Sequence, residues 1–411
     1  MTKQKIIIVG GGFTGLLIGT LASQQGHTVH LYEAGNSLGG VLKDIIINED
    51  WYYHGCQYLP DKNEWLQKLG LDKHLHSFPD RYASYTQLDK NHQAVLLNDF
   101  AQPAFNGRHE FPSVASISNN ATNYLDNYAS IGKLIGQWAS RLNIDDRLHT
   151  VSLDHMQIDR IYLPDMHNDL ITMKGNSTFY NRLIGIPRSL RESNGAKKPQ
   201  ASLPPHGYSK WLAQLESIAR VSGVIFHTNS PVTPYRHKGK MKFHVRKENL
   251  THDAIVWCGN PTALIYNYCG HLLQAPAIKT SLVVGTLNGL GEISPKYWQI
   301  FDQNKKLLRF YIWQDKDRIA FTAEATRASY EDLQHEIKKL IEVILPSAQI
   351  SFQGHIDEDR WVNITVDDYN IITRNKTPMM EDGIIQGAWE NYGRAAKIEN
   401  ITSSLKELNI L

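Results

Sequence analysis

A run of four apolar residues, Ile6-Ile7-Ile8-Val9, breaks into three glycines, and the pattern that follows admits few folds. Branched apolar side chains on both faces of so short a segment suit a strand buried on either side, central in a parallel sheet. Gly10-Gly11-Gly12-Phe13-Thr14-Gly15 then reads GxGxxG. Gly10 permits the tight turn, Gly12 lets backbone approach an anionic ligand, and Gly15 lets the following helix pack closely. The spacing predicts a helix over 14–25 ended by Gly26, then a second strand over 28–32 that delivers Glu33 eighteen residues past Gly15. A carboxylate there accepts the hydroxyls of a ribose, while the first-turn amides of the helix, from Phe13, Thr14 and Gly15, face phosphates. Strand, glycine turn, helix, strand and acid in that order imply a dinucleotide-binding unit. An acid rather than an arginine at its end disfavours a 2′-phosphate and leaves NAD or FAD.

Composition narrows the partner more than the fold. Of 411 residues, 42% are apolar and 20% charged, and 43 Lys plus Arg against 41 Asp plus Glu leave a formal charge of +2. Such an apolar fraction is too high for a disordered chain. The near-balance of charge, with no long single-sign block, lacks the field that nucleic-acid binding uses, so a small molecule is the expected partner. No uninterrupted apolar stretch reaches the ~18 residues of a membrane span. Lys3 and Lys5 ahead of the apolar run 6–22 imitate a signal peptide, but the glycine turn inside that run accounts for it. Cys56, Cys258 and Cys269 form no CxxC pair and no His/Cys cluster at zinc-ligand spacing, so no metal is expected, and a reducing, cytoplasmic setting is. At this length a single core stops growing, and two domains are expected.

Past the acid, Glu33-Ala34-Gly35-Asn36-Ser37-Leu38-Gly39-Gly40-Val41 reads ExxxxxGG. Together with the glycine loop it resembles the flavoprotein superfamily of amine oxidases, protoporphyrinogen oxidases and UDP-galactopyranose mutases, and the resemblance extends over most of the chain. It implies FAD as cofactor, with Gly39 and Gly40 free of side chains where the diphosphate and ribityl chain pass. Many members carry Arg or Asn where this chain has Val41, a departure that removes a polar side-chain contact. Residues 50–59 resemble the strand and turn beside the flavin ring, with Gly55-Cys56-Gln57 where mutase-like members have Gly-x-His. Pro205-His206-Gly207-Tyr208 resembles the Pro-x-Gly entry to a long helix. Asn229-Ser230-Pro231-Val232 resembles the turn whose valine, Val232, holds the adenine through its backbone. Residues 383–400 resemble the closing flavin segment, where Gly393 and Arg394 open a C-terminal helix whose positive end steadies charge on the flavin or its diphosphate.

The expected fold class is therefore α/β. A Rossmann-like FAD-binding domain is assembled from residues 1–60, 203–275 and 355–411, and a mixed α+β substrate domain from 61–202 and 276–354. In the second domain strands are expected over 280–286, 307–313 and 319–322, with an amphipathic helix over 332–344 stopped by Pro346. Helical patterns lie at 65–75 and 131–142, an Asn-rich loop at 118–123, and an exposed polar connection over 188–200. The basic residues at 236–247 read as the solvated face of a hairpin.

A flavin carries the hard chemistry itself, so catalytic residues leave little trace in such a sequence. His54, Gln57 and Tyr58 are candidates, since they lie in the segment expected beside the ring. Arg309, Tyr311 and Trp313 alternate on one face of a strand, where they suit either the clamping of a diphosphate and stacking of a base or a structural role. The expected function is FAD-dependent oxidation of a small organic donor (amine, alcohol or sugar-like) at flavin N5. The alternatives are a redox-neutral nucleotide-sugar mutase or isomerase working through reduced FAD, and a non-catalytic flavin-fold scaffold. Substrate, electron acceptor and oligomeric state stay open.

Overall fold

The computed structural model describes residues 2–55, 58–60, 64–79, 83–87, 94–98, 200–274, 277–302, 305–391 and 394–411, together with isolated positions between 120 and 152. Five parallel strands form one sheet in the order Ile225–His227, Thr28–Tyr32, Lys5–Val9, Ala254–Trp257, Ile384–Gln386. The strand that opens the chain is thus the central one. Its side chains divide by a period of two. Ile6 and Ile8 enter a core with the helices Phe13–Gln24, Tyr208–Val221 and Arg394–Glu407, while Ile7 and Val9 face Phe243, Val245 and Trp257. Phe243 and Val245 belong to a three-stranded antiparallel meander, Thr233–His237, Lys240–Val245 and Glu248–Asn249, turned at Lys238 and Gly239. The sheet is covered on both faces, as the unbroken apolar run requires.

A second sheet has seven strands in the order Gln349–Val362, Ala277–Asn288, Arg318–Thr326, Leu307–Asp315, Lys296–Ile300, Ala83–Gln87, Ala94–Asn98. All neighbours are antiparallel except Lys296–Ile300 with Ala83–Gln87. The expected strands are present and longer than the apolar pattern indicated. One face packs on the helix Tyr330–Ile344 through Phe310, Ile312, Phe321, Leu333 and Ile337. Ser329 caps that helix, its hydroxyl accepting the Asp332 amide at 3.2 Å. The opposite face contributes Leu282, Val284, Tyr297, Tyr311 and Trp313 to the same core that holds Ile6 and Ile8, so the two sheets share one interior.

Two passages depart from the sequence pattern. The strand Gln349–Val362 runs across residue 355 and stays paired with Ala277–Asn288 along its length, so by pairing that segment belongs to the seven-stranded sheet. Return to the parallel sheet comes later, through the helix Val366–Glu381. The pattern at 65–75 gives a short helix, Glu64–Lys68, and a single 3-10 turn, Asp72–His74. The expected helix over 131–142, the loop over 118–123 and the connection over 188–200 lie outside the described residues, apart from isolated positions.

Candidate functional site

At the carboxyl edge of the parallel sheet the chain turns sharply at Gly10, whose φ of +103° only glycine adopts without strain. Its amide continues the sheet by donating to the Tyr32 carbonyl at 2.8 Å. A Cβ on Gly15 would lie 2.0 Å from the Gly10 carbonyl oxygen, which is how closely the helix Phe13–Gln24 sits on the turn. That helix starts at Gly12 with no side-chain cap and no acidic residue in its first turn. The amides of Phe13, Thr14 and Gly15 therefore present an uncompensated positive end. Around Gly12 the nearest atom to an added Cβ is Gly40 Cα at 3.8 Å, so its own backbone remains open to a ligand.

Glu33 ends the neighbouring strand and bends back over the loop. Its carboxylate accepts the Gly11 amide at 2.7 Å on Oε2 and the Gly35 amide at 2.7 Å on Oε1. A carboxylate has about four acceptor positions, so room remains for hydroxyl donors. Gly39 donates to the Gly11 carbonyl at 2.9 Å, and Gly12 and Gly39 form a parallel bridge. A Cβ on Gly40 would press on Gly12 Cα at 3.1 Å, which gives the paired glycines a steric reason. Val41 is two-thirds exposed. Asn229 and Ser230 donate to the carbonyls of Gly35 and Glu33 at 2.8 and 2.9 Å, which ties the turn ahead of half-buried Val232 to the same loop. Arg394 opens the helix Arg394–Glu407 just past the strand Ile384–Gln386, at the same edge; Gly393 lies outside the described residues. Gly10, Gly12, Phe13, Thr14, Gly15, Glu33, Gly39, Gly40 and Val41 thus converge. Their donors and acceptors, and a cradle that side chains at Gly12 or Gly40 would fill, fit a dinucleotide.

Residues 44–55 lead from this loop to the face of the seven-stranded sheet. Asp44 anchors the passage: its carboxylate accepts the amides of Tyr208 and Ser209 at 2.9 and 2.8 Å, capping a helix that starts 164 residues later. Burial pushes that carboxyl up, against the pull of the two amides and of the Ser209 hydroxyl. The space is so tight that a Cβ on Gly207 would lie 2.4 Å from Asp44. Tyr53 donates its hydroxyl to the Pro204 carbonyl at 2.6 Å, and burial raises this phenol well above the ordinary range, so it keeps its proton. His54 is buried, and its Nε2 lies 2.7 Å from Glu358 Oε2 on the strand Gln349–Val362. Thr322 adds a second tie, its hydroxyl donating to the Tyr53 carbonyl at 2.8 Å.

On the sheet itself Tyr311 and Trp313 share one face, as alternation requires, with ring centroids 5.8 and 4.7 Å from Tyr53. Tyr58 meets Tyr297 and Tyr311 edge-on at 6.4 and 6.2 Å. Arg309 lies on the same face and is 4% exposed; its Nη1 is 3.4 Å from Oε2 of Glu324, which is 1% exposed. Gln57 lies outside the described residues. Sequence reasoning passed over Glu324, Glu358 and Asp44. A lone acid in the apolar run Arg318–Thr326, opposite Arg309 in register, was the one legible signal among them. A cavity of about 1020 Å³ opens at the other edge of the parallel sheet, between Lys240, Lys242, Asp253 and Asp382, far from this loop and balanced in charge. Among the described residues no group of three or more His, Cys, Asp or Glu is disposed to hold a metal, and no helix is long and apolar enough to cross a membrane.

Residues 8–69 match the family described as an NAD(P)-binding Rossmann-like domain. No curated protein matches the chain. Among solved structures, reduced UDP-galactopyranose mutase is similar at a TM-score of 0.67 and 12% identity, over 100% of this chain and 96% of its own. A proposed protoporphyrinogen oxidase of Exiguobacterium sp. 255-15 is similar at 0.57 and 15%, over 100% and 99%. A redesigned putrescine oxidase is similar at 0.57 and 13%, over 99% of each chain. With a match to a Rossmann-like domain at its start and this architecture along its whole length, the chain shares the fold of the mutase and of the two oxidases.

Proposed function

We propose that the chain is an FAD-dependent oxidoreductase that oxidises a small organic donor, an amine, alcohol or sugar-like molecule, and that it acts in the cytoplasm. The observation that carries this is the convergence of the uncapped helix start at Gly12, the Glu33 carboxylate and the Gly39–Gly40 backbone on one cradle. FAD, when bound, supplies the acceptor for a hydride equivalent leaving the donor carbon. The chain's own residues bind and orient. The amides of Phe13, Thr14 and Gly15 take the diphosphate, Glu33 the adenosine ribose, and the backbone at Val232 the adenine. Arg394 and Gly393 steady the charge of the ring end. Tyr53, Tyr58, Tyr297 and Tyr311 wall the donor's side and keep water from it, and buried His54, held by Glu358, is the candidate to carry a proton there.

The test is anaerobic reduction of the FAD-loaded protein by a panel of amines, alcohols and sugars, followed by air or a dye acceptor. Bleaching by a donor and return of colour on reoxidation supports the reading. A second reading, a redox-neutral nucleotide-sugar mutase or isomerase, draws on Arg309 in the row beside the Tyr297–Tyr311 pair; turnover that needs dithionite yet consumes no acceptor would establish it instead. A tightly held flavin that meets no donor, sulfite or light-driven reductant would point to a scaffold.

A further inference from the structure

Six aromatic rings stand in one unbroken line from the glycine cradle to the surface. Phe13, in the first turn of the helix Phe13–Gln24, lies 5.5 Å from Trp211, and Trp211 lies 6.3 Å from Tyr208, centroid to centroid. Tyr208 is 5.5 Å from Tyr53, Tyr53 is 4.7 Å from Trp313, and Trp313 is 6.0 Å from Trp51. Every step is within the range of ring contact. The helix that carries Tyr208 and Trp211 lies on the cradle itself, since a Cβ on Gly39 would come 3.3 Å from Leu212. Five of the rings are 6% exposed or less, whereas Trp51 is only half-buried. All but Phe13 are tryptophan or tyrosine, the aromatic side chains that give up an electron most readily. An oxidised indole or phenol is a strong acid, and it comes to rest only where its proton can leave. Tyr53 donates to the Pro204 carbonyl and Trp211 to the Leu71 carbonyl, neither of which is a base. Trp313 Nε1 is buried without a hydrogen-bond partner among the described residues. A positive charge held on these inner rings is costly away from water. At Trp51 water can take the proton.

We infer that this line is a one-electron relay between the cofactor cradle and solvent, with Trp313 as its inner tryptophan on the sheet and Trp51 as its outlet. This rests on the proposed function in taking FAD as the group in the cradle. It goes further in giving the chain a route for single electrons, supplied by a small one-electron reductant in solution, that is separate from hydride transfer by a donor. The step balances with light-excited FAD as oxidant and ascorbate as reductant. The inner rings give one electron to the flavin, Trp51 refills them with one electron and releases its indole proton to water, and ascorbate restores Trp51 with one electron and one proton. The net change is one electron moved from ascorbate to the flavin.

The experiment is transient absorption of the FAD-loaded protein after a blue-light pulse, without oxygen, with and without ascorbate. The wild-type protein is expected to give a long-lived deprotonated tryptophan radical, whose lifetime shortens in proportion to added ascorbate. Trp51→Phe keeps a ring at a half-buried position and is expected to lose that long-lived signal, because the vacancy then has no place to shed a proton and returns to the flavin. Trp313→Phe is expected to lose it as well. Trp298→Phe, in the core on the opposite face of the sheet, is expected to keep it. Should Trp313→Phe fail to fold, the Trp51 variant decides alone. A folded Trp51→Phe with the full radical yield overturns the inference, and so does a wild-type radical that ascorbate does not quench. Failure of the flavin reading is distinguishable: a protein without flavin bands before the pulse overturns that reading and the relay together, while flavin bands with no tryptophan radical after the pulse overturn the relay alone.

Discussion

Replacing Glu33 by glutamine removes one charge and almost no volume, yet it should disturb the loop in two ways. In the structure both carboxylate oxygens are used, one on the Gly11 amide and one on the Gly35 amide, each at 2.7 Å. Glutamine has one acceptor oxygen and a donor NH₂, so whichever way the amide is turned, one of those N–H groups faces another donor. A hydrogen bond to a charged acceptor contributes about 1.5–3 kcal/mol, and removing one at this half-buried position should cost the apoprotein about 1–2 kcal/mol. The ribose hydroxyls lose the same ionised acceptor, so the FAD dissociation constant should rise by about 10- to 100-fold. Titration of FAD into the apoprotein measures the second effect, and thermal unfolding of the same apoprotein the first. A folded Glu33→Gln variant with unchanged affinity and unchanged Tm would refute the assignment of this carboxylate to both the loop and the ribose.

Gly12→Val should purify folded but without flavin, because its side chain fills the open side of the cradle beside Gly40; full retention of flavin absorbance would refute the loop assignment. His30 and His227 stack with their nitrogens 3.0 Å apart, and burial chiefly lowers both below the ordinary 6.5. The unfolded chain therefore binds more protons just below pH 6.5, so stability is complete above that value and is lost as pH falls through the lowered folded values. Thermal unfolding should show a lower Tm at pH 5.5 than at pH 7.5, with the difference reduced in His30→Gln/His227→Gln; an equal slope in that variant would discount the pair. Burial pushes the Cys258 thiol up to about 12, whereas Cys269 is exposed, so mapped iodoacetamide labelling at pH 8 should modify Cys269 well before Cys258.

How much of this was legible in the sequence depended on the span over which each contact acts. The turn at Gly10, the packing at Gly15 and the reach of Glu33 are settled within a single strand-turn-helix-strand unit, where order and spacing already contain the geometry. The paired glycines at 39 and 40 were legible as a pattern, but their steric reason, the approach to Gly12, needed the fold. Asp44 holding the helix Tyr208–Val221 and Glu358 holding His54 join segments 164 and 304 residues apart, and no local periodicity signals either. The strand Gln349–Val362 escaped notice because it is an edge strand carrying Asp357, Glu358 and Asp359, a charged composition that blunts an exposed edge but erases the apolar alternation of an inner strand. Glu324 was within reach. Alternation that put Arg309 on a face also asks what stands opposite it, and the neighbouring strand has one acid.

The central claim, that this cradle holds a redox-active flavin, is tested most directly by the visible absorption spectrum of the freshly purified protein, taken before and after anaerobic dithionite and again in air. The account predicts two flavin bands that bleach on reduction and return on reoxidation. A colourless protein that also takes up no added FAD would contradict it.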